Sequence, residues 1–181
     1  EHKALDYARN IFIFSFYTRG MAFVDIAYLR KSNIRNGFIQ YIRRKTGQII
    51  NIRIESCMKK IMDHYKTKSE YIFPIITSSD EKIAYRQYQN SLSYYNKQLK
   101  KISDLLGLPS PLTSYVARHT WATLAKYCQV PEEIISEGLG HSSLEVTRTY
   151  LKSFGGDELE KANRMIIDYI STGRKKVWSG A

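Results

Sequence analysis

One hairpin interrupts an otherwise helical sequence, and it limits the choice of fold more than any other feature. In GFIQYIRRKTGQIINIRI, residues 37–54, Ile50, Ile52 and Ile54 alternate with Asn51 and Arg53, and KTGQ supplies a tight turn. A period of two about such a turn sets one face of a small antiparallel sheet against a core. Elsewhere the apolar residues recur with a helical period. Residues 3–17 carry Leu5, Ala8, Ile11, Phe12 and Phe16 at that spacing. A turn about Gly20 leads into a second helix reaching about Arg30. ESCMKKIMDHY is helical, and YIFPIITSS is extended or loop, broken at Pro74. Residues 80–106 form a long helix ended by Gly107 and Pro109. LTSYVARHTWATLAKYCQ forms a helix capped by Thr113 or Ser114, and PEEIISEGLG a short one with Pro131 in its first turn. Residues 157–171 form a last amphipathic helix through Leu159, Ala162, Ile166, Ile167 and Ile170. The expected fold class is α+β, mainly α-helical, with a small antiparallel β-sheet near the N-terminal third. Nothing divides the 181 residues, so one domain over 1–181 is expected.

Charge narrows the function. Lysine and arginine total 28 against 17 acids, a formal net charge of +11 and a pI near 9.6. A domain this basic meets a polyanion. No single amphipathic helix carries the excess, which favours nucleic acid over a membrane surface. No apolar run reaches the length of a membrane span; NIFIFSFY is the most apolar stretch and lies within a helical pattern. Cys57 and Cys128 fall in apolar helical patterns and read as reduced core thiols rather than a disulfide or metal site. The sequence shows no secretory signal and starts at Glu1, so it is expected to be the later part of a longer chain.

Several polar residues are out of keeping with their surroundings. Arg118 lies inside the otherwise apolar helix YVARHTWAT, Lys45 at the hairpin tip and Arg19 at the turn before the second helix. His141 follows a glycine-containing turn. Ser142 and Glu145 make a capping-box pattern, so a helix starts directly after His141 and carries Tyr150 near the end of its second turn. Taken singly, each is more often a solvated, ion-paired or core residue than a functional one.

Taken together they resemble one family. ARHTWATLA followed by IISEGLGHSSLEVTRTYL is similar to the C-terminal motifs of tyrosine recombinases, the integrases of phages and transposons: an Arg-His helix, then Leu-Gly-His, then a tyrosine nine residues after that histidine. The resemblance reaches back through Lys45 to YTRGMAFVDIAYLRKSNI and so covers most of the chain. It implies a mainly helical catalytic domain with a three-stranded antiparallel sheet. The family's preceding helical module, which clamps the opposite face of DNA, is expected to lie outside these 181 residues.

The resemblance also implies a chemistry. Tyr150 attacks a DNA phosphodiester, releases a 5′-hydroxyl and holds the strand as a 3′-phosphotyrosine; a second 5′-hydroxyl reverses the step on a partner strand. The bond energy is retained, so neither ATP nor a metal or other cofactor is expected. Guanidinium groups must then hold the charge that builds on the non-bridging oxygens, a task suited to the planar, permanently charged fork of Arg118. Free tyrosine titrates near pH 10, so Tyr150 needs the setting that His141 and the arginines supply. Lys45 is the family-like general acid for the leaving oxygen. Implied partners are double-stranded DNA recombination sites, further copies of the chain in a tetramer on DNA, and accessory DNA-bending proteins, in a bacterial cytoplasm at the nucleoid and away from any membrane.

Two positions depart from the family's pattern. Three residues before Arg118, where histidine or lysine is usual, stands Tyr115, whose hydroxyl can bond a phosphate but is a weak acid or base near neutral pH. The family's first arginine lies three residues before an acid that is itself four before a leucine; Asp25 and Leu29 fit that frame, and the arginine position falls on Ala22. Arg19 lies one helical turn earlier and could reach the same phosphate. The expectation is that Arg19 substitutes; the alternative is that it pairs with an acid or solvent and the enzyme works with one fewer arginine. Asp25 is expected to buttress this region, and His119 to be structural.

Basic residues with interleaved tyrosines, Lys59 to Lys68 and Lys97 to Lys101, are expected either to grip the DNA backbone or to be solvated faces. The last helix either packs on a neighbouring protomer or folds back on its own domain. Two further functions share these features: a DNA-binding module of recombinase descent that no longer cuts, and an enzyme like the type IB topoisomerases that relaxes supercoils.

Overall fold

The computed structural model describes residues 2–140 and 156–174. His141, Tyr150 and the Ser142–Glu145 capping pattern lie outside the described residues. Helix α1, His2–Tyr17, buries Ala8, Ile11, Phe14 and Phe16 along its length. It divides two apolar clusters. Ile11 and Phe14 belong to a larger one with Ile26, Ile39, Ile52, Met58, Phe73 and Leu99; Phe16 belongs to a smaller one with Trp121, Ile134, Leu139, Ala162 and Ile166. The mainly helical expectation is met.

The expected hairpin is present. Strands β2, Phe38–Ile42, and β3, Ile49–Arg53, pair antiparallel with Ile39 opposite Ile52 and Tyr41 opposite Ile50. Strand β1, Ile34–Arg35, joins the β2 edge. At two residues it is too short to show a period in sequence. The second helix is shorter than its spacing suggests: α2 spans only Phe23–Ala27. The chain leaves it to pair elsewhere, with the Leu29 carbonyl accepting from Ile72 N at 2.9 Å and Arg30 bridging Tyr71.

Helix α3, Ser56–His64, follows the sheet, and α4, Glu81–Leu105, is capped by Asp80, whose carboxylate accepts from Ile83 N at 2.9 Å. Helix α5, Val116–Tyr127, starts later than Thr113 or Ser114, with Tyr115 in the capping position. The reason is tertiary: Ser114 N donates to Asn96 Oδ1 of α4 at 2.8 Å. Helix α6, Glu132–Leu139, ends at Gly140 with φ of 64°. Cys128 is buried, Cys57 half-buried, and neither is in a disulfide.

The last described helix, α7, Gly156–Thr172, folds back on its own domain. Ala162, Asn163 and Ile166 are fully buried. Asn163 accepts from Trp121 Nε1 at 3.1 Å and donates to the Tyr17 carbonyl at 3.0 Å, joining α7 to α5 and α1. Arg164 Nη2 meets both carboxylate oxygens of Glu55 at 2.7 and 2.5 Å.

The turn after α1 carries two consecutive left-handed residues, Arg19 with φ of 59° and Gly20 with φ of 71°. Gly20 lies against α5 so closely that a Cβ there would stand 2.6 Å from Arg118 Cα. Gly20→Ala is therefore expected to lower stability by about 2–3 kcal/mol, from strained backbone and overpacking together. Thermal unfolding measures this; an unchanged midpoint would show that the turn can give way.

Candidate active site

The hairpin loop is pinned on both sides of Lys45. On one side, Arg44 N donates to Asp25 Oδ1 at 3.0 Å, and the Arg44 guanidinium lies 3.9 Å from the centroid of the Tyr28 ring. On the other, Gly47 N bonds the Arg43 carbonyl at 2.8 Å and closes the turn. Asp25 is buried, and burial raises its carboxyl above the usual range against the pull of the Arg44 amide and of Arg43. It acts as the expected buttress, tying α2 to the loop that presents Lys45.

Arg118 enters from the first turn of α5 and is 8% exposed. Its Nη1 donates to the Gly20 carbonyl at 3.1 Å and its Nη2 to the Leu139 carbonyl at 2.5 Å. It thus ties the turn after α1 to the end of α6, where unpaired helix carbonyls favour a cation. Burial foremost, and then the charge of Arg43, lower its pKa to about 10. At neutral pH it keeps its proton, so the pocket carries buried positive charge.

Arg43 is the site residue that sequence reasoning missed. It is 4% exposed, and its Nη1 donates to the Gly140 carbonyl at 2.6 Å, one residue before His141. The signal was there: Arg43 has the parity of Ile39 and Tyr41, the inward-facing positions of β2, and an arginine at an apolar-face position is a buried charge. Arg43 N bonds the Gln48 carbonyl at 2.8 Å, which carries the ladder one step past the strand.

Arg43, Lys45, Tyr115 and Arg118, with Ser114, line one cavity of about 140 Å³, whose apolar wall includes Ala22, Phe23 and Leu92. Among the described residues no carboxylate lines it. Tyr115 is half exposed and shares the Arg118 face of α5. His119 is exposed, its ring 6.0 Å from that of Tyr115, and it is not among the residues lining the cavity.

Arg19 is not among the residues lining this cavity. Its side chain is 1% exposed and forms an ion pair with Glu160 of α7, whose same oxygen accepts from Arg53 N at 3.1 Å. Burial lowers the Arg19 pKa, and Glu160 opposes that shift. His141 and Tyr150 lie outside the described residues, so the structure locates the site only as far as Gly140.

Among the described residues no helix is long and apolar enough to cross a membrane. No curated protein sequence matches the chain. Solved structures of recombinases match the chain, two of them as follows. The XerH site-specific recombinase, bound to its difH substrate in a pre-cleavage complex, shares 21% identity over 88% of this chain and 49% of its own, with a TM-score of 0.55. XerA recombinase shares 17% identity over 93% of this chain and 64% of its own, with a TM-score of 0.47. The chain therefore spans about half the length of XerH. Residues 2–155 match the phage integrase family. With that match running from α1 through the LGHSSLEVTRTYL segment, and a catalytic-domain fold shared with XerH, the chain belongs to the phage integrase family of tyrosine recombinases.

Proposed function

We propose that this chain is the catalytic domain of a site-specific DNA recombinase that cuts and rejoins strands through a 3′-phosphotyrosine on Tyr150. The observation that carries the reading is the cavity uniting Arg118, Lys45 and Tyr115, with no carboxylate among its described lining residues and with Arg118 bonded to the Leu139 carbonyl, two residues before His141. In this reading the Tyr150 hydroxyl oxygen bonds to phosphorus as the bond from phosphorus to the 5′-oxygen breaks. The phenolic proton passes to His141, and the leaving oxygen takes a proton from Lys45, so one phosphodiester is exchanged for another. Arg118 holds the non-bridging oxygens, and Tyr115 adds a neutral hydroxyl donor. No step calls for ATP or a metal. The partners are double-stranded recombination sites and further copies of the chain, in a tetramer on DNA.

The test is covalent trapping. The full-length protein is offered a nicked suicide duplex carrying sequence that flanks its own gene. A denaturation-resistant protein–DNA band is expected, with the modified peptide containing Tyr150. Tyr150→Phe is expected to abolish the band while leaving DNA affinity within about threefold. An adduct that persists in the variant would refute the assignment of the nucleophile. Alanine at position 22 and the paired state of Arg19 favour the second reading, a DNA-binding module that no longer cuts. That reading predicts tight binding of the same duplex and no band.

A further inference from the structure

Cleavage of a phosphodiester without a metal leaves two non-bridging oxygens to be neutralised, and Arg118 is one fork. The position where the family pattern places a second arginine is Ala22, which contributes only a methyl group to the cavity wall. Arg19, the nearest arginine in sequence, is committed to Glu160. To reach the cavity it would have to leave a buried carboxylate unpaired, which is costly in a low-dielectric interior.

Arg43 has no such commitment. Its residue exposure is 4%, and no carboxylate makes an ion pair with it among the described residues. Its Nη1 is held by the Gly140 carbonyl, with a long contact of 3.5 Å to Thr46 Oγ1, but its Nε is buried with no hydrogen-bond partner among the described residues. A buried guanidinium N–H without an acceptor carries a desolvation cost that a phosphate oxygen would remove. Arg43 and Arg118 line the same cavity as Ala22, and Asp25, the nearby buried acid, already accepts from the Arg44 amide.

We propose that Arg43 is the second guanidinium on the scissile phosphate, reaching it from the hairpin and filling the place left by alanine at position 22. This rests on the cleavage reading above. Arg118 and Arg43 would take the non-bridging oxygens, and Lys45, two residues along the same pinned loop, would face the leaving oxygen. The bond to Gly140 keeps the Arg43 fork beside the residue that precedes His141.

The experiment uses the full-length protein, the same suicide duplex, and a second duplex in which a methylphosphonate replaces the scissile phosphate. The methyl group removes the charge on one non-bridging oxygen and with it the need for one guanidinium. Arg43→Met keeps most of the side-chain stem, and thermal unfolding confirms that the variant folds. Arg43→Met is expected to cut the phosphate about a hundredfold more slowly than the wild type, yet to match it within about threefold on the methylphosphonate. An equal loss on both duplexes would overturn the inference and leave Arg43 as a positioning residue for Gly140. No loss on the phosphate would overturn it outright. Rescue seen for Arg19→Met instead would assign the place to Arg19. An absence of any adduct from the wild-type protein would overturn this inference together with the cleavage reading beneath it.

Discussion

Arg118→Ala is expected to slow strand cleavage about a thousandfold, with DNA affinity lowered no more than about tenfold. Loss of one preformed donor to a developing oxyanion costs on the order of 10²–10³ in rate, and Arg118 sits at the upper end because its charge is buried. Its folded pKa of about 10 lies below the ordinary value, chiefly through desolvation. The folded protein therefore binds this proton less tightly than the unfolded chain, and the unrelieved charge costs stability at every pH below about 10, an effect that fades as pH rises toward the ordinary value. A bound phosphate reverses that balance and draws its stabilisation from the same desolvated charge. Arg118→Lys is expected to recover little, because one ammonium cannot span both the Gly20 and Leu139 carbonyls and a phosphate oxygen. Single-turnover cleavage of the nicked duplex measures the rate. A variant within threefold of the wild type would remove Arg118 from the chemistry and leave it as a tie between the α1 turn and α6.

Glu160→Ala is expected to destabilise the domain by about 3–5 kcal/mol, the cost of leaving one member of a buried ion pair without its partner. The Arg19 side chain is 1% exposed, and that of Glu160 is 12% exposed. The alanine variant strands the guanidinium and also removes the acceptor of Arg53 N. Against a typical total of about 5–15 kcal/mol, such a loss populates the unfolded state at 37 °C or shifts unfolding to much lower denaturant. The paired substitution Arg19→Met with Glu160→Leu removes both charges and retains apolar volume, and is expected to recover most of the loss. Urea unfolding of the two variants beside the wild type checks this. A single-variant loss below about 1 kcal/mol, or a double variant no better than the single, would show that the pair does not hold α7 to the domain.

These two arginines mark where the sequence was legible and where it was not. Periodicity located α1, α4, the hairpin and α7 almost to the residue, because an amphipathic face is a local property that recurs along the chain. It overextended α2 and started α5 too early, in both cases because a backbone hydrogen bond to a distant segment decided the boundary. Lys45, Tyr115 and Arg118 were each singled out in sequence, and the structure places them around one cavity.

What the sequence determined by itself is the family and the order of the chemical groups, since a helical arginine, Leu-Gly-His and a tyrosine at set spacing are linear facts. What only tertiary structure decided is which other arginine stands beside Arg118. Arg19 and Arg43 are both far from that motif in the chain, and although strand parity marks Arg43 as inward-facing, nothing local says what either guanidinium reaches. The left-handed turn at Arg19 and Gly20 sends Arg19 to Glu160, 141 residues away, while β-strand parity turns Arg43 inward beneath Gly140. Charges in a low-dielectric interior go where their partners are, and those partners are brought together only when distant segments pack.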